Sequence, residues 1–378
     1  MSSSLDDPSP FHRGLVGRWS VILVLVLSFA MWAFPVFSHR GDKDPLTNHY
    51  TDHHRYRYCS ALVLRRPVEA LTRPLQEIYD SDPSPHRFVS WGAHPCTQAG
   101  ILHLFVHAPF QWAMERGLID GQTYTIAYVL LGLLLAHLAI LWMLRSDRHW
   151  HLSFFLYPWL MRVAMIAVQS PLAFLIGYGS LRALDEKRYL RAALLYGVVL
   201  LEYNRWIALA PAVFYGTVIL ARQDTLEELR SYVAGWPGRA TVAVVGLGVA
   251  LTFAAMILVK LYWVDPADEF AQPQIAYLRY GLVAIWGAHF ALRRTPFGLA
   301  GLGYGLFMVT YRGPLLLWYI EPFLAIVALA RTRFQQLLWA GTALVISGIA
   351  IHAKSLLELR SLFDWVVASW LGLPSTGG

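Results

Sequence analysis

One acidic residue, Asp52, follows the first long apolar run of the chain by about fifteen positions. It lies within residues 48–56, which also contain three histidines, and the next long apolar run begins only at Thr123-Tyr124. A carboxylate held beside a bilayer can take a proton from a hydroxyl or stabilise a cationic centre. The alternative is the N-cap of a helix that opens at His53, because Asp is a favoured capping residue. The residues alone favour neither interpretation.

The composition is that of a membrane protein. Hydrophobic residues make up 56% of the 378 residues and charged residues only 15%, whereas about a quarter of a soluble domain is charged. The 15 Trp and 19 Tyr gather at the ends of apolar runs, as interfacial belts require. The net charge of +7 comes mainly from Arg and Lys in short loops between those runs. The sequence therefore predicts membrane lipids as partners and no nucleic acid.

Apolar runs predict an all-α polytopic membrane protein with about 11 transmembrane helices, in a range of 10–12. The range reflects several runs that are shorter than the ~20 residues that a perpendicular helix needs. The runs are residues 19–37, 124–144, 152–168, 171–184, 190–203, 206–221, 240–262, 275–291, 296–311, 314–330 and 335–352.

Arginine and lysine orient these helices. With the N-terminus inside, every inner loop is basic, whereas the later outer loops hold only Arg205 and Arg312. The alternation requires residues 98–115 to lie at the interface, which suits their histidines and proline. The predicted parts are a cytoplasmic tail (1–18), a first transmembrane helix (19–37), an extracytoplasmic loop with interfacial helices and the site (38–123), a transmembrane bundle (124–352) and an amphipathic C-terminal segment (353–378).

A short pattern begins at Asp52. Asp52, Tyr56 and Cys59-Ser60-Ala61 resemble the D-x-x-x-Y-x-x-A pattern of the C-fold (GT-C) integral membrane glycosyltransferases. A large outer loop directly after the first span, opening with an acidic residue, is the hallmark of that superfamily. Residues 92–109 are similar to its interfacial helix before the second span, whereas residues 71–75 lack the Gly and Tyr of its G-x-x-x-Y-x-P element. The likeness covers roughly residues 15–215 in layout.

The resemblance implies an enzyme that moves a sugar from a polyprenyl-phosphate-linked donor to an acceptor hydroxyl of a glycan, lipid or protein. It implies a multi-pass protein of the bacterial inner membrane with its active site on the periplasmic face. Asp52 occupies the position of the catalytic base. Position 53 is His where some branches carry a second acid, which favours a mechanism without a metal or other cofactor; a divalent cation is the alternative.

Three arginines are candidates for binding the donor phosphate, because Arg forms bidentate bonds with phosphate. These are Arg205, Arg279 and Arg312, which the predicted topology places at or near the outer ends of transmembrane helices. The alternatives are snorkelling to the interface and structural ion pairs, such as Arg162 with Glu202. The candidate substrate-binding residues beside the base are His53, His54, Arg55 and Tyr56.

Histidine and cysteine spacing leaves two further possibilities. His103 and His107 are four residues apart, as are His49 and His53, and each pair shares a face if its segment is helical. A metal motif such as H-E-x-x-H is absent, so no metal site is predicted. The only two cysteines, Cys59 and Cys96, lie in the outer loop and are candidates for a disulfide, the alternative being two small buried residues.

Two other classes of function compete with a transferase. A flippase or transporter of a lipid-linked saccharide would show inverted repeats and broken helices, and the sequence shows neither. A membrane polysaccharide polymerase or acyltransferase is the second alternative. A polymerase would favour a large outer loop late in the chain, whereas here the large loop comes first.

Overall fold

The computed structural model is helical in every regular element that it describes. This confirms the all-α prediction. The described residues are 8–38, 51–73, 78, 101–166, 169–202, 205–247, 250, 273–310, 317–348, 367 and 370–371.

Helical elements occupy the described parts of the eleven predicted apolar runs, although run 240–262 is described only at 240–247 and 250, and a helix also covers residues 102–115. We number the helices in chain order. They are α1 (Gly14–Ser38), α2 (Thr51–Arg65), α3 (Pro67–Thr72), α4 (Leu102–Glu115), α5 (Gly121–Leu144), α6 (Trp150–Ile166), α7 (Gln169–Asp185), α8 (Tyr189–Leu200), α9 (Arg205–Ala221), α10 (Leu226–Ala234), α11 (236–247), α12 (Pro273–Arg293), α13 (Pro296–Thr310), a 3-10 segment (Leu317–Leu329) and α14 (Arg333–Gly348).

Among the described residues, two helices are long and apolar enough to cross a membrane. They are Gly14–Phe37 within α1 and Gly121–Leu144, which is α5. The 17 residues of α6 or α7 extend only ~25 Å at ~1.5 Å per residue, less than the ~30 Å of a hydrocarbon core. The structure therefore gives two helices of spanning length together with several shorter apolar helices.

The turn between α4 and α5 follows local sequence signals. Gly117 has a φ of 68°, and its amide donates to the carbonyl of Met114 at 3.0 Å, which ends α4. Asp120 then caps α5 by accepting the amide of Thr123 at 2.7 Å. That amide bond lowers the pKa of the Asp120 carboxyl. This short, well-signalled turn holds α4 against the start of α5.

The first long helix packs antiparallel against the second. Near the start of α1, the amide of Ser9 donates to a carboxylate oxygen of Asp147, just beyond the end of α5, at 2.7 Å. Halfway along, the hydroxyl of Ser28 lies 2.8 Å from Nε2 of His137. The rest of the interface is apolar and includes the buried side chains of Trp32 and Val36.

A 3-10 segment runs through the centre of the bundle. From Ile320 to Leu329 every side chain is buried, and helices from both halves of the chain surround the segment. Three aromatic rings pack around Phe323, whose centroid lies 4.6 Å from Tyr304 and 5.3 Å from Phe214. The hydroxyl of Tyr196 donates to the carbonyl of Pro322 at 3.1 Å. Runs of 3-10 helix longer than a few residues are uncommon, so its neighbours must stabilise this one.

A cluster of charged side chains lies at the C-terminal end of this central segment. We call Arg148, His149, Asp185 and Arg222 the Asp185 cluster. The carboxylate of Asp185 lies 3.5 Å from Arg148, 3.2 Å from Nε2 of His149 and 3.7 Å from Arg222. Arg148 also donates to the carbonyl of Ala330 at 3.1 Å, and Arg222 to that of Ala328 at 3.0 Å. These carbonyls are at a helical C-terminus and need donors, which the two guanidinium groups supply.

The cluster defines one end of the bundle, the Asp185 end. The start of α6 and the ends of α7, α9 and the 3-10 segment meet there. At the opposite end, the amides of Ile101 and Leu102 donate to the carbonyl of Leu201 at 2.7 and 3.0 Å. The first turn of α4 is thereby joined to the turn that follows α8. Successive helices thus alternate in direction between the two ends.

Asp185 carries its charge in spite of burial. Burial raises the pKa of this carboxyl, but contact with His149 and the charges of Arg148 and Arg222 outweigh burial, so the pKa is lowered overall. The pKa of His149 is lowered because its ring is buried, although Asp185 acts in the opposite direction. Asp185 is therefore the anion that balances two arginines.

Replacing Asp185 by asparagine should destabilise the fold strongly. The substitution keeps the size of the side chain but leaves two guanidinium groups without their anion, and breaking a buried ion pair costs about 3 kcal/mol or more. Glu186→Gln is the matched control, because Glu186 pairs with Arg182 and Arg188 but is 42% exposed, and exposed pairs contribute less than ~1 kcal/mol. Thermal unfolding in detergent measures both variants. Equal transition temperatures for the two variants would contradict the structural role of Asp185.

Candidate functional site

The candidate site lies at the end opposite the Asp185 cluster, under a small helical layer inserted between α1 and α5. We call α2, α3 and α4 the helical cap. The side chains of Tyr58, Cys59 and Leu62 on α2 are buried against Leu104 on α4. These contacts, together with the bond from α4 to Leu201, seat the helical cap on the end of the bundle.

The helices α2 and α4 run in the same direction. Cys59, in the middle of α2, packs with Leu104 near the start of α4, whereas Arg65 at the end of α2 pairs with Glu115 at the end of α4 at 3.1 Å. The start of α2 therefore extends beyond the start of α4. The start of α2 thus lies on the same side of the helical cap as the bonds between α4 and Leu201.

Asp52 lies in the first turn of α2, at its second residue. The expectation that Asp52 would cap a helix opening at His53 is therefore wrong, because α2 already includes Thr51. Asp52 precedes Cys59 by seven residues, or ~10 Å along the axis at ~1.5 Å per residue. The candidate substrate-binding residues His53, His54, Arg55 and Tyr56 occupy the first two turns of the same helix. The side chains of all five residues lie outside the described part of the structure.

Two of the three candidate arginines have a described backbone position. Arg205 is the first residue of α9. Just past the other end of α9, Arg222 belongs to the Asp185 cluster. Arg205 therefore lies at the opposite end of the bundle, the end that carries the helical cap. The side chains of Arg205 and Arg279 are outside the described part. Arg312 lies wholly outside the described residues.

The position of Arg279 follows from the packing of α12 on α13. These helices are antiparallel, because Gly298 approaches Phe290 while Gly305 approaches Val283. The 3-10 segment finishes at the Asp185 end, so it starts at the end that carries the helical cap. Only six residues separate this start from the end of α13, so the end of α13 is assigned to the same end of the bundle.

Because α12 is antiparallel to α13, the start of α12, six residues before Arg279, is assigned there as well.

One face of α4 is polar and buried. His103, His107 and Gln111 recur every four residues, share a face and are each at most 3% exposed. Nδ1 of His107 lies 2.5 Å from the hydroxyl of Tyr124, and its ring stacks on Tyr128 at 4.1 Å. No group of three or more His, Cys, Asp or Glu side chains with the arrangement of a metal site occurs in the described ranges. His107 therefore acts in the packing of α4 against α5.

A carboxyl group that the sequence suggested for an ion pair lies next in the chain to the residue that holds the first turn of α4. Glu202 is 6% exposed and follows Leu201, the residue that accepts the amides of α4. Its hydrogen-bond donor is the hydroxyl of Ser170, at 3.3 Å, and Arg162 does not pair with it. The suggested Arg162–Glu202 pair is therefore wrong for the described residues. Sequence spacing could not indicate Ser170, since 32 residues separate the two.

Cys59 is fully buried and takes part in a disulfide. Cys96 is the only other cysteine of the sequence, and it lies outside the described residues. The Cys59–Cys96 pairing stays a prediction.

No protein-family model matches the chain, and searches of curated proteins and of solved structures found no significant match. The resemblance to GT-C enzymes therefore rests on the pattern that begins at Asp52 and on the order of the helices around it.

If Cys59 pairs with Cys96, the substitutions Cys59→Ser, Cys96→Ser and the double substitution should lower stability equally, since each removes the same bond. The chain-entropy model gives a loss of roughly 3–4 kcal/mol for a loop of this size. Thermal unfolding and thiol labelling measure the effect. The wild type should release two thiols only after reduction. Labelling of both cysteines in the native, unreduced protein would show that the bond is absent.

Proposed function

We propose that the protein is an integral membrane glycosyltransferase of the GT-C type. It transfers a sugar from a polyprenyl-phosphate-linked donor to an acceptor hydroxyl at the extracytoplasmic face of a membrane. In this proposal about eleven helical elements cross the bilayer of a bacterial inner membrane, and the helical cap lies on its periplasmic surface.

One observation carries the proposal: the helical cap is inserted between the two helices of spanning length and covers the bundle end at which α9 begins. The first turn of α2 supplies Asp52 on that side, and α9 begins with Arg205. A base and a phosphate-binding cation are thereby assigned to one end of the bundle. These are the groups that transfer from a lipid phosphate requires.

The exposed surface of α1 supports a membrane environment. Leu15, Val16 and Trp19 are 65–81% exposed, and apolar side chains continue along the same helix to Phe37, which is also exposed. A continuous apolar surface of this length is unfavourable in water and favourable against lipid.

The distribution of charge supports the orientation. Outside the helical cap, which carries arginines of its own, basic side chains concentrate at the Asp185 end of the described helices, as the positive-inside rule expects for the cytoplasmic side. They include Arg145, Arg148, Arg182, Arg188, Arg222, Arg331 and Arg333. The helical cap at the opposite end therefore faces the extracytoplasmic side in the proposal.

The proposed reaction uses Asp52 as the general base. The acceptor oxygen attacks the anomeric carbon of the sugar and transfers its proton to the Asp52 carboxylate. The bond between that carbon and the phosphate oxygen breaks, and polyprenyl phosphate leaves with the bonding electrons. The guanidinium groups of Arg205, Arg279 and Arg312 bind the phosphate, whose negative charge grows as the bond breaks. The substrate-binding candidates on α2 orient the acceptor beside Asp52.

Asp52→Asn should reduce transfer by roughly 10²–10⁴-fold while donor binding survives, because the amide keeps the size of the side chain and cannot accept the proton. Glu69→Gln is the matched control, since Glu69 is a carboxylate of the same helical cap that pairs with Arg66 at the surface. The measurement is transfer from a lipid-phosphate sugar donor in detergent or vesicles. Full activity in Asp52→Asn would exclude Asp52 as the base.

The same assay separates the enzyme from its competitors. Translocation of a lipid-linked saccharide in vesicles, without transfer from any donor, would favour a flippase. Extension of a long glycan chain by the wild type would favour a polymerase.

The topology is testable with reporter fusions. Fusions after residues 148, 188 and 294 should report the cytoplasm, and fusions near residues 80 and 268 the outside. The expectation follows from the basic Asp185 end and the opposite position of the helical cap. A cytoplasmic signal near residue 80 would put Asp52 in the wrong compartment and overturn the proposed function.

A further inference from the structure

Glu202 lies where three helical elements meet at the end that carries the helical cap. It follows α8, and the carbonyl of the preceding Leu201 accepts the amides of Ile101 and Leu102 at the start of α4. Its carboxyl group contacts Ser170 in the first turn of α7. Glu202 therefore adjoins the junction between the bundle and the helical cap, and it is only 6% exposed.

The two oxygens of this carboxyl group have different surroundings. Oε1 accepts the hydroxyl of Ser170 at 3.3 Å. Oε2 is buried and has no hydrogen-bond partner among the described residues. A buried acceptor without a donor is costly in free energy and is uncommon in folded proteins. Such an atom, at the end of the bundle assigned to the reaction, points to a ligand that supplies the donor.

The chemistry of a carboxyl group restricts that ligand. A carboxyl oxygen accepts hydrogen bonds, so a ligand group that donates one can satisfy it. A hydroxyl group satisfies Oε2, and the polyprenyl-phosphate-linked donor carries several hydroxyls on its sugar.

The distance along the chain fits the donor. Arg205, a candidate for the phosphate, follows Glu202 by three residues, so their backbones are at most ~11 Å apart at ~3.6 Å per residue. In the donor, the sugar and the phosphate are directly linked. Groups this close along the chain can thus hold neighbouring parts of one ligand.

We propose that Glu202 binds a hydroxyl group of the donor sugar through Oε2, with Ser170 holding the carboxyl group in position. The inference rests on the proposed function and deepens it, because it assigns a residue to sugar recognition. In this proposal the sugar reaches Oε2 when the first turn of α4 separates from Leu201, because Oε2 is buried while those bonds are formed.

The test compares binding of two lipids to the detergent-solubilised full chain. One is polyprenyl phosphate carrying a sugar, and the other is polyprenyl phosphate alone. Glu202→Gln should weaken binding of the glycosylated lipid about tenfold, because an amide nitrogen, which donates and does not accept, replaces Oε2. It should leave binding of the bare lipid phosphate unchanged. Glutamine keeps the size of the side chain and an oxygen that can accept from Ser170, so the fold is preserved.

Glu115→Gln is the control, because Glu115 is a carboxylate of the helical cap that pairs with Arg65 away from the start of α4. It should bind both lipids as the wild type does. Equal loss of both lipids in Glu202→Gln, or no loss of either, overturns the assignment. If the wild type transfers sugar and Glu202→Gln still distinguishes the two lipids normally, only this inference fails. A wild type that binds neither lipid overturns the proposed function together with it.

Discussion

The contact between Asp185 and two arginines determines how the bundle closes at one end. Arg148 and Arg222 each lie within ion-pair distance of Asp185. Each also donates to a backbone carbonyl at the end of the 3-10 segment, Arg148 to Ala330 and Arg222 to Ala328. One buried anion thereby joins the start of α6 with the ends of α7, α9 and the central segment. Removing it would leave two cations together in a poorly hydrated place, so the arrangement depends on the negative charge.

The two ends of the bundle differ in the contacts of their buried carboxyl groups. At the Asp185 end, the carboxylate of Asp185 lies beside two arginines, which also donate to backbone carbonyls. At the end with the helical cap, α4 is held by two amide bonds to one carbonyl, and Glu202 beside it has Ser170 as its hydrogen-bond donor. A carboxylate between two arginines serves stability, whereas in the proposal Oε2 of Glu202 binds a ligand.

The helical cap connects stability to the proposed chemistry. Its inner contacts are of two kinds: the apolar packing of α2 on α4 and the polar packing of α4 on α5, where His107 contacts Tyr124 and Tyr128. Both hold α4 beside the bundle while its first turn bonds to Leu201, next to Glu202. In the proposed function this places the base of α2, the phosphate-binding start of α9 and the sugar-binding carboxyl around one volume at the membrane surface.

Much of the local structure could be predicted from the sequence. Apolar runs and their basic loops marked the positions of the helical elements, and the residues now seen in α4 were expected as a helix outside the main bundle. These features are local: hydrophobic periodicity, a Gly at position 117 and a capping Asp120 act over a few residues. The order and class of the elements therefore followed from the chain itself.

Tertiary packing decided the partners of the charged residues. Asp185 reaches Arg148 and Arg222, 37 residues away in each direction, and Glu202 accepts from Ser170 and not from Arg162. The sequence offered many cations and anions near helix ends with nothing to distinguish among them. Burial selects the pairs, because in a poorly hydrated interior a charge must lie within a few ångströms of its partner, and only the packing of whole helices sets that distance.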